Sequence, residues 1–119
     1  MFFSCLAVGL LAAGCGDATD DRPARWSYIS TAIIEPSCAT ASCHSEIAQR
    51  AGVNLYERVP AYKQLVTERH FVVPGSPDTS ALVKMLRAQP VRRMPPDYAL
   101  PESDIALIEK WITMGAKND

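Results

Sequence analysis

This chain has no strong charge of either sign, no apolar run long enough to cross a bilayer and very little histidine. Its 119 residues carry 12 Lys and Arg against 13 Asp and Glu, for a formal net charge of -1, with two His. Nucleic acid and anionic lipid surfaces both reward an excess of Lys and Arg, so neither is an expected partner. The longest uncharged stretch, "MFFSCLAVGLLAAGCG" at residues 1–16, is apolar for about fourteen residues, short of the roughly twenty that a spanning helix needs. No stretch alternates apolar and polar residues as a half-buried strand would, which leaves a sheet unsupported. There is no internal repeat and no low-complexity segment. No acid/base pair, no nucleophile with its base and no phosphate-cradling glycine loop stands out, so an enzyme is not expected.

What is present is a chain that is 48% hydrophobic, enough for one domain with its own core and without a disorder signature. The short apolar N-terminus reads as a signal peptide, residues 1–14. Its end, Leu11-Ala12-Ala13-Gly14-Cys15, resembles the lipobox of bacterial lipoproteins, which implies lipidation of Cys15. The expected location is the periplasmic side of a bacterial membrane, with the membrane reached through that lipid anchor. The polar segment "GDATDDRPAR" that follows reads as a tether, so that residues 15–25 join anchor to domain. Ten residues of coil reach roughly 17 to 19 Å.

From Trp26 the pattern is helical. Trp26, Ile29, Ile33 and Ile34 share one face and predict a helix that ends before Pro36. "PAYKQLVT", from Pro60 to about Thr67, predicts a second helix with Tyr62, Leu65 and Val66 as its apolar side. "ALVKMLRA" predicts a third, capped by Asp78, Thr79 or Ser80. In "PESDIALIEKWITMGA" the acidic start favours a helix N-terminus, Ile105, Ile108, Trp111 and Ile112 form one face, and Gly115 ends it. Met85 and Met114 fall within helix patterns and are expected in the core; Tyr56, Tyr62 and Tyr98 are expected to pack or to lie at a cofactor's edge. The fold class is all-α, three or four short helices over residues 26–117. Such helices are marginal alone, and a domain of this size has a modest core, so a large apolar cofactor would help to fill the centre.

"CATASCHS", residues 38 to 45, carries the chemistry. With Cys5 in the signal and Cys15 lipidated, the mature domain keeps one pair, Cys38 and Cys43, in an oxidising compartment. Three chemistries suit the pair with His44 directly behind it. A disulfide would close a small loop, worth about 2 to 3 kcal/mol in the chain-entropy model. Zinc or copper would find three local ligands where structural zinc takes four. Haem c would take both sulfurs as thioethers, with the adjacent histidine reaching the iron from beneath the porphyrin. The usual haem spacing has two residues between the cysteines and this chain has four, Ala39 to Ser42; their small side chains allow an outward bulge.

Four ordered blocks, "IIEPSCATASCHS", "VVPGSPDTSALVKML", "RMPP" and "LPESDIALIEKWITMGA", resemble the planctomycete-type c-type cytochrome domain. The resemblance implies a cytochrome c-like fold in which the helix before the haem motif packs against the C-terminal helix. It implies one covalent haem c on Cys38 and Cys43, His44 as proximal iron ligand and Met94 of the "MPP" block as distal ligand. Arg92 and Arg93, just before Met94, are candidates for the haem propionates, and His70 is the competing sixth ligand. The expected function is single-haem electron transfer between redox partner proteins. The alternative is a haemless, disulfide-closed lipoprotein with the same helices, serving as a binding or scaffolding module.

Overall fold

In the computed structural model residues 19–119 are described. The expected signal peptide at residues 1–14 and the expected lipid anchor at Cys15 lie outside them.

The first helical rod is assembled from three pieces: α1 (Trp26–Ile29), a π-helical stretch Ser30–Ile34, and α2 (Glu35–Cys38). It does not stop before Pro36. Within the π stretch Glu35 N–H reaches back to Ser30 O, one residue further than in an α-helix. This wider turn accommodates a proline that lacks a donor and whose ring crowds the preceding carbonyls. The consequence is that the last turn of the rod carries Cys38.

α3 (Arg58–Tyr62) continues into a second π-helical stretch, Lys63–Glu68. A 3₁₀ turn, Pro77–Thr79, leads into α4 (Ala81–Leu86), and α5 (Glu102–Thr113) is the longest helix. No strand occurs among the described residues, so the fold is all-α as the patterning predicts.

Ser80 takes the N-cap backbone position of α4 but makes no cap. It is fully buried, and its hydroxyl instead accepts Val73 N–H at 2.9 Å and donates to Ser76 O at 2.8 Å. Thr79 turns its hydroxyl to Ser76 Oγ at 2.7 Å and Asp78 is exposed. The preceding turn has taken the group that the helix start was expected to use.

The core forms where the predicted faces meet. Trp26, Ile29, Ile33 and Ile34 are buried with Leu65, Val66, Leu82, Val83 and the α5 face Ile105, Ile108, Trp111 and Ile112. Trp26 stacks on Trp111 with ring centroids 5.0 Å apart, and Tyr62 meets both edge-on. The helix before the cysteine motif thus packs against the C-terminal helix. Met114 departs from expectation: it follows α5 as its C-cap residue, off the apolar stripe, and is exposed.

The C-terminal segment locks this cluster. Gly115, at φ +109°, reverses the chain after α5 in a Schellman arrangement, with Gly115 N–H on Ile112 O and Ala116 N–H on Trp111 O. Ala116 O then accepts Tyr62 O–H, and Lys117 O accepts Trp111 Nε1–H, both at 2.9 Å. Asp119 supplies what the start of α1 lacks. Its Oδ1 accepts Trp26 N–H at 3.0 Å and its backbone oxygen accepts Ser27 N–H at 2.8 Å, where a carboxylate also suits the helix dipole.

Two ion-pair clusters flank α5. Arg87 bridges from α4 to Glu102 and Glu109, each at 2.7 Å. Arg22 joins Asp20 at 2.7 Å and Asp104 at 2.6 Å, so residues 19–25, expected to belong to a tether, are irregular but tied to the first turn of α5.

Candidate functional site

The loop after α2 is a compact bulge with both ends pinned. Cys43 N–H donates to Thr40 O and His44 N–H to Cys38 O, both at 3.0 Å. Thr40, Ala41 and Ser42 are exposed, which is the outward bulge that small side chains allow. On the far side, Arg50 N–H donates to Cys43 O at 2.9 Å and Leu55 N–H to His44 O at 2.8 Å. A four-residue spacer is therefore compatible with close approach of Cys38 to His44 along the backbone.

His44 Nδ1 lies 3.2 Å from Val53 O. A carbonyl only accepts, so Nδ1 is the donor here, and in the neutral ring that tautomer leaves the lone pair on Nε2. A hydrogen bond of this type fixes the orientation of the ring.

Cys38, Cys43 and His44 border a cavity of about 340 Å³. Val53, Leu55, Leu65, Phe71, Leu82 and Leu86 give it apolar walls; Met85 of α4 and the Met94-Pro95-Pro96 loop complete it, with Arg50 also in the lining. Met94 N–H is held by Met85 O at 3.1 Å, which fixes the loop to the end of α4. The Arg93 guanidinium donates to Pro95 O and Pro96 O, both at 3.3 Å.

The two cysteines are free thiols of different character. Burial pushes Cys38 up to about 12, with the neighbouring Cys43 adding to the rise. Hydrogen bonds from Thr40 and Ser42 hold Cys43 below the ordinary thiol value, and Arg50 contributes in the same direction. Among the described residues no group of three or more His, Cys, Asp or Glu is arranged to hold a metal ion. An apolar cavity bordered by two thiols, one oriented imidazole and a soft thioether has the donor set of a covalently bound haem rather than of a zinc ion.

Residues 41–98 match the family model of Planctomycete cytochrome C. The chain carries a planctomycete-type cytochrome c domain. No curated protein and no solved structure matches the chain. The match contains Cys43, His44, Met94 and the two prolines but starts after Cys38. In this cytochrome domain the usual two-residue spacing would put the first cysteine at Thr40, and the chain offers Cys38 from the end of α2 instead. Membership implies covalently bound haem c, and the residues around the cavity fit that group.

The sequence-predicted residues divide by place. Cys38, Cys43, His44 and Met94 share the cavity lining. Arg92 is exposed and Arg93 is engaged with its own loop, and neither lines the cavity. His70 is exposed, in left-handed backbone at φ +54°, and does not line it either. Tyr56 and Tyr98 are exposed. Arg50, Val53, Leu55 and Phe71 are lining residues that sequence reasoning passed over, and Met85, expected in the core, is half-buried on the cavity wall. Arg50 lies in a stretch without periodicity, and Met85 has the same spacing as the core positions beside it.

Proposed function

We propose that this protein is a single-haem c-type cytochrome that transfers electrons outside the cytoplasm, tethered to its membrane through lipid on Cys15. The observation that carries the reading is the convergence of Cys38, Cys43, His44 and Met94 on one apolar cavity, with His44 Nε2 left free by the bond to Val53. When bound, haem supplies a one-electron couple between ferric and ferrous iron.

The chain's own residues supply the rest. Cys38 and Cys43 would hold the porphyrin through their sulfurs and so prevent its loss by diffusion. His44, oriented by the bond from Nδ1 to Val53 O, would hold the iron through Nε2. Met94 would hold it through a neutral, soft sulfur, a ligand that favours ferrous iron and would raise the potential relative to two histidines. Pro95 and Pro96 restrict the loop that bears it, and the Arg93 bonds to both proline carbonyls add to that restriction. The apolar walls exclude water, which also favours the less charged ferrous centre. If His44 and Met94 both served as iron ligands, no coordination site would be left open for a substrate, so the reading is electron transfer without substrate chemistry. Its partners are redox proteins that give and take the electron.

The test is expression of the full chain with cytochrome maturation factors, followed by reduced-minus-oxidised visible spectra and a pyridine haemochrome assay on denatured protein. Sharp c-type bands, with one haem per chain retained through acid and solvent extraction, are expected. Absence of covalent haem, with a Cys38–Cys43 disulfide by mass spectrometry, would overturn the reading in favour of a haemless binding or scaffolding module.

A further inference from the structure

We infer that Arg50 is the residue that holds a haem propionate in this protein. The inference rests on the haem reading above.

Haem is apolar over its rings and carries two carboxylates. Burying an unpaired carboxylate is costly, so the propionates belong where the cavity offers a cation, solvent, or both. Among the described residues Arg50 is the one lysine or arginine in the cavity lining. It is itself exposed, which places it where the cavity meets solvent.

Its guanidinium is also uncommitted. Arg22, Arg69, Arg87 and Arg93 each spend side-chain donors on protein acceptors, whereas no side-chain hydrogen bond or ion pair is made by Arg50 among the described residues. A planar fork with five donors beside a cavity that receives a dicarboxylate is suited to bidentate carboxylate binding. Asp97 and Arg50 both act on the Cys43 thiol, with opposite sign. The two stay more than 4.0 Å apart and form no pair.

The backbone around Arg50 is unusually determined. Gln49 at φ +39°, Ala51 at φ +55° and Gly52 at φ +70° all adopt left-handed conformations, which non-glycine residues rarely take and which persist only where surrounding contacts enforce them. Arg50 N–H is bound to Cys43 O, and Gly52 O accepts Arg69 Nη2 at 2.8 Å. This kinked turn directs Arg50 back to the cavity beside Cys43. The arginines that the sequence nominated are placed otherwise, Arg93 on its own loop and Arg92 in solvent.

The test uses haem-loaded full chain in wild-type, Arg50→Gln, Arg50→Lys and Arg92→Gln forms, with haem content fixed first by pyridine haemochrome. Two quantities are then read: the propionate bending band in the resonance Raman spectrum and the midpoint potential. Loss of a cation near the porphyrin disfavours the extra electron, so Arg50→Gln should shift the propionate band and lower the potential. Arg50→Lys should recover most of the potential but not the band, because an ammonium restores charge without the fork. Arg92→Gln should leave both unchanged. A haem-loaded Arg50→Gln protein with the wild-type band and potential overturns the assignment, as does the shift appearing in Arg92→Gln. Wild-type chain without covalent haem overturns the functional reading itself, and that outcome is visible before any variant is compared.

Discussion

The indole of Trp26 lies on that of Trp111 at 5.0 Å between ring centroids and 26° between planes, joining the first helix to the last. Both rings are essentially inaccessible to solvent. Their ring N–H groups are satisfied by Arg58 O and Lys117 O, each at 2.9 Å. This contact holds the rod that ends at Cys38, so it also sets the position of one wall of the cavity.

Trp111→Ala is expected to destabilise the protein by about 3 to 5 kcal/mol, the range for deleting a fully buried large aromatic. Urea unfolding of matched samples measures it; a loss below about 1 kcal/mol would show that the stack contributes little.

Ser80→Ala removes the acceptor of Val73 N–H and the donor to Ser76 O at a fully buried position. Leaving such groups unsatisfied costs about 1 to 3 kcal/mol. The same unfolding experiment should show that loss with an unchanged denaturant slope, whereas Thr79→Ala, at an exposed site, should cost less.

The two thiols should differ in reactivity in haem-free protein. A lowered pKa means that Cys43 populates thiolate at lower pH than an ordinary cysteine, while Cys38, pushed up to about 12 by burial, stays protonated. An alkylating reagent near pH 8 should therefore modify Cys43 in a fast phase and Cys38 slowly. Cys43→Ser should abolish the fast phase. Equal rates for the two cysteines would contradict the environments described.

Met94→Ala in haem-loaded protein should retain covalent haem, lose the weak ferric sulfur-to-iron absorption band and show a lower midpoint potential. His70→Ala should leave all three as they are. A band that survives Met94→Ala would assign the sixth ligand elsewhere, with Met85 the next sulfur on the cavity.

The acid limb of stability should depend on the two arginine clusters. Hydrogen bonds from Arg22 hold Asp20 down to about 2, and those from Arg87 hold Glu102 below the usual carboxylate value. Because both folded pKa values are depressed, their contribution is complete above the ordinary carboxylate range near pH 4 and fades as pH falls through the lowered values. Both carboxylates are exposed, so the effect is small. A double variant, Arg22→Ala with Arg87→Ala, should flatten the melting temperature against pH between roughly pH 4 and 2.

The sequence by itself determined the helical class, the apolar faces of the first and last helices, and the adjacency of Cys43 and His44. These are local properties: a 3.6-residue period records which face is buried, and two neighbours in the chain stay neighbours in space. Tertiary structure decided the rest. The rod runs through Pro36 because a π-helical turn relieves the proline, and the hydroxyl of Ser80 serves a turn whose path no spacing predicts. Asp119 caps a helix that begins far away in the chain. Met94 reaches the cavity because its loop is pinned to Met85, and Arg50 faces it because three left-handed residues turn the backbone there. Each of these depends on particular non-periodic contacts or on rare backbone conformations, and neither leaves a periodic trace in the order of side chains.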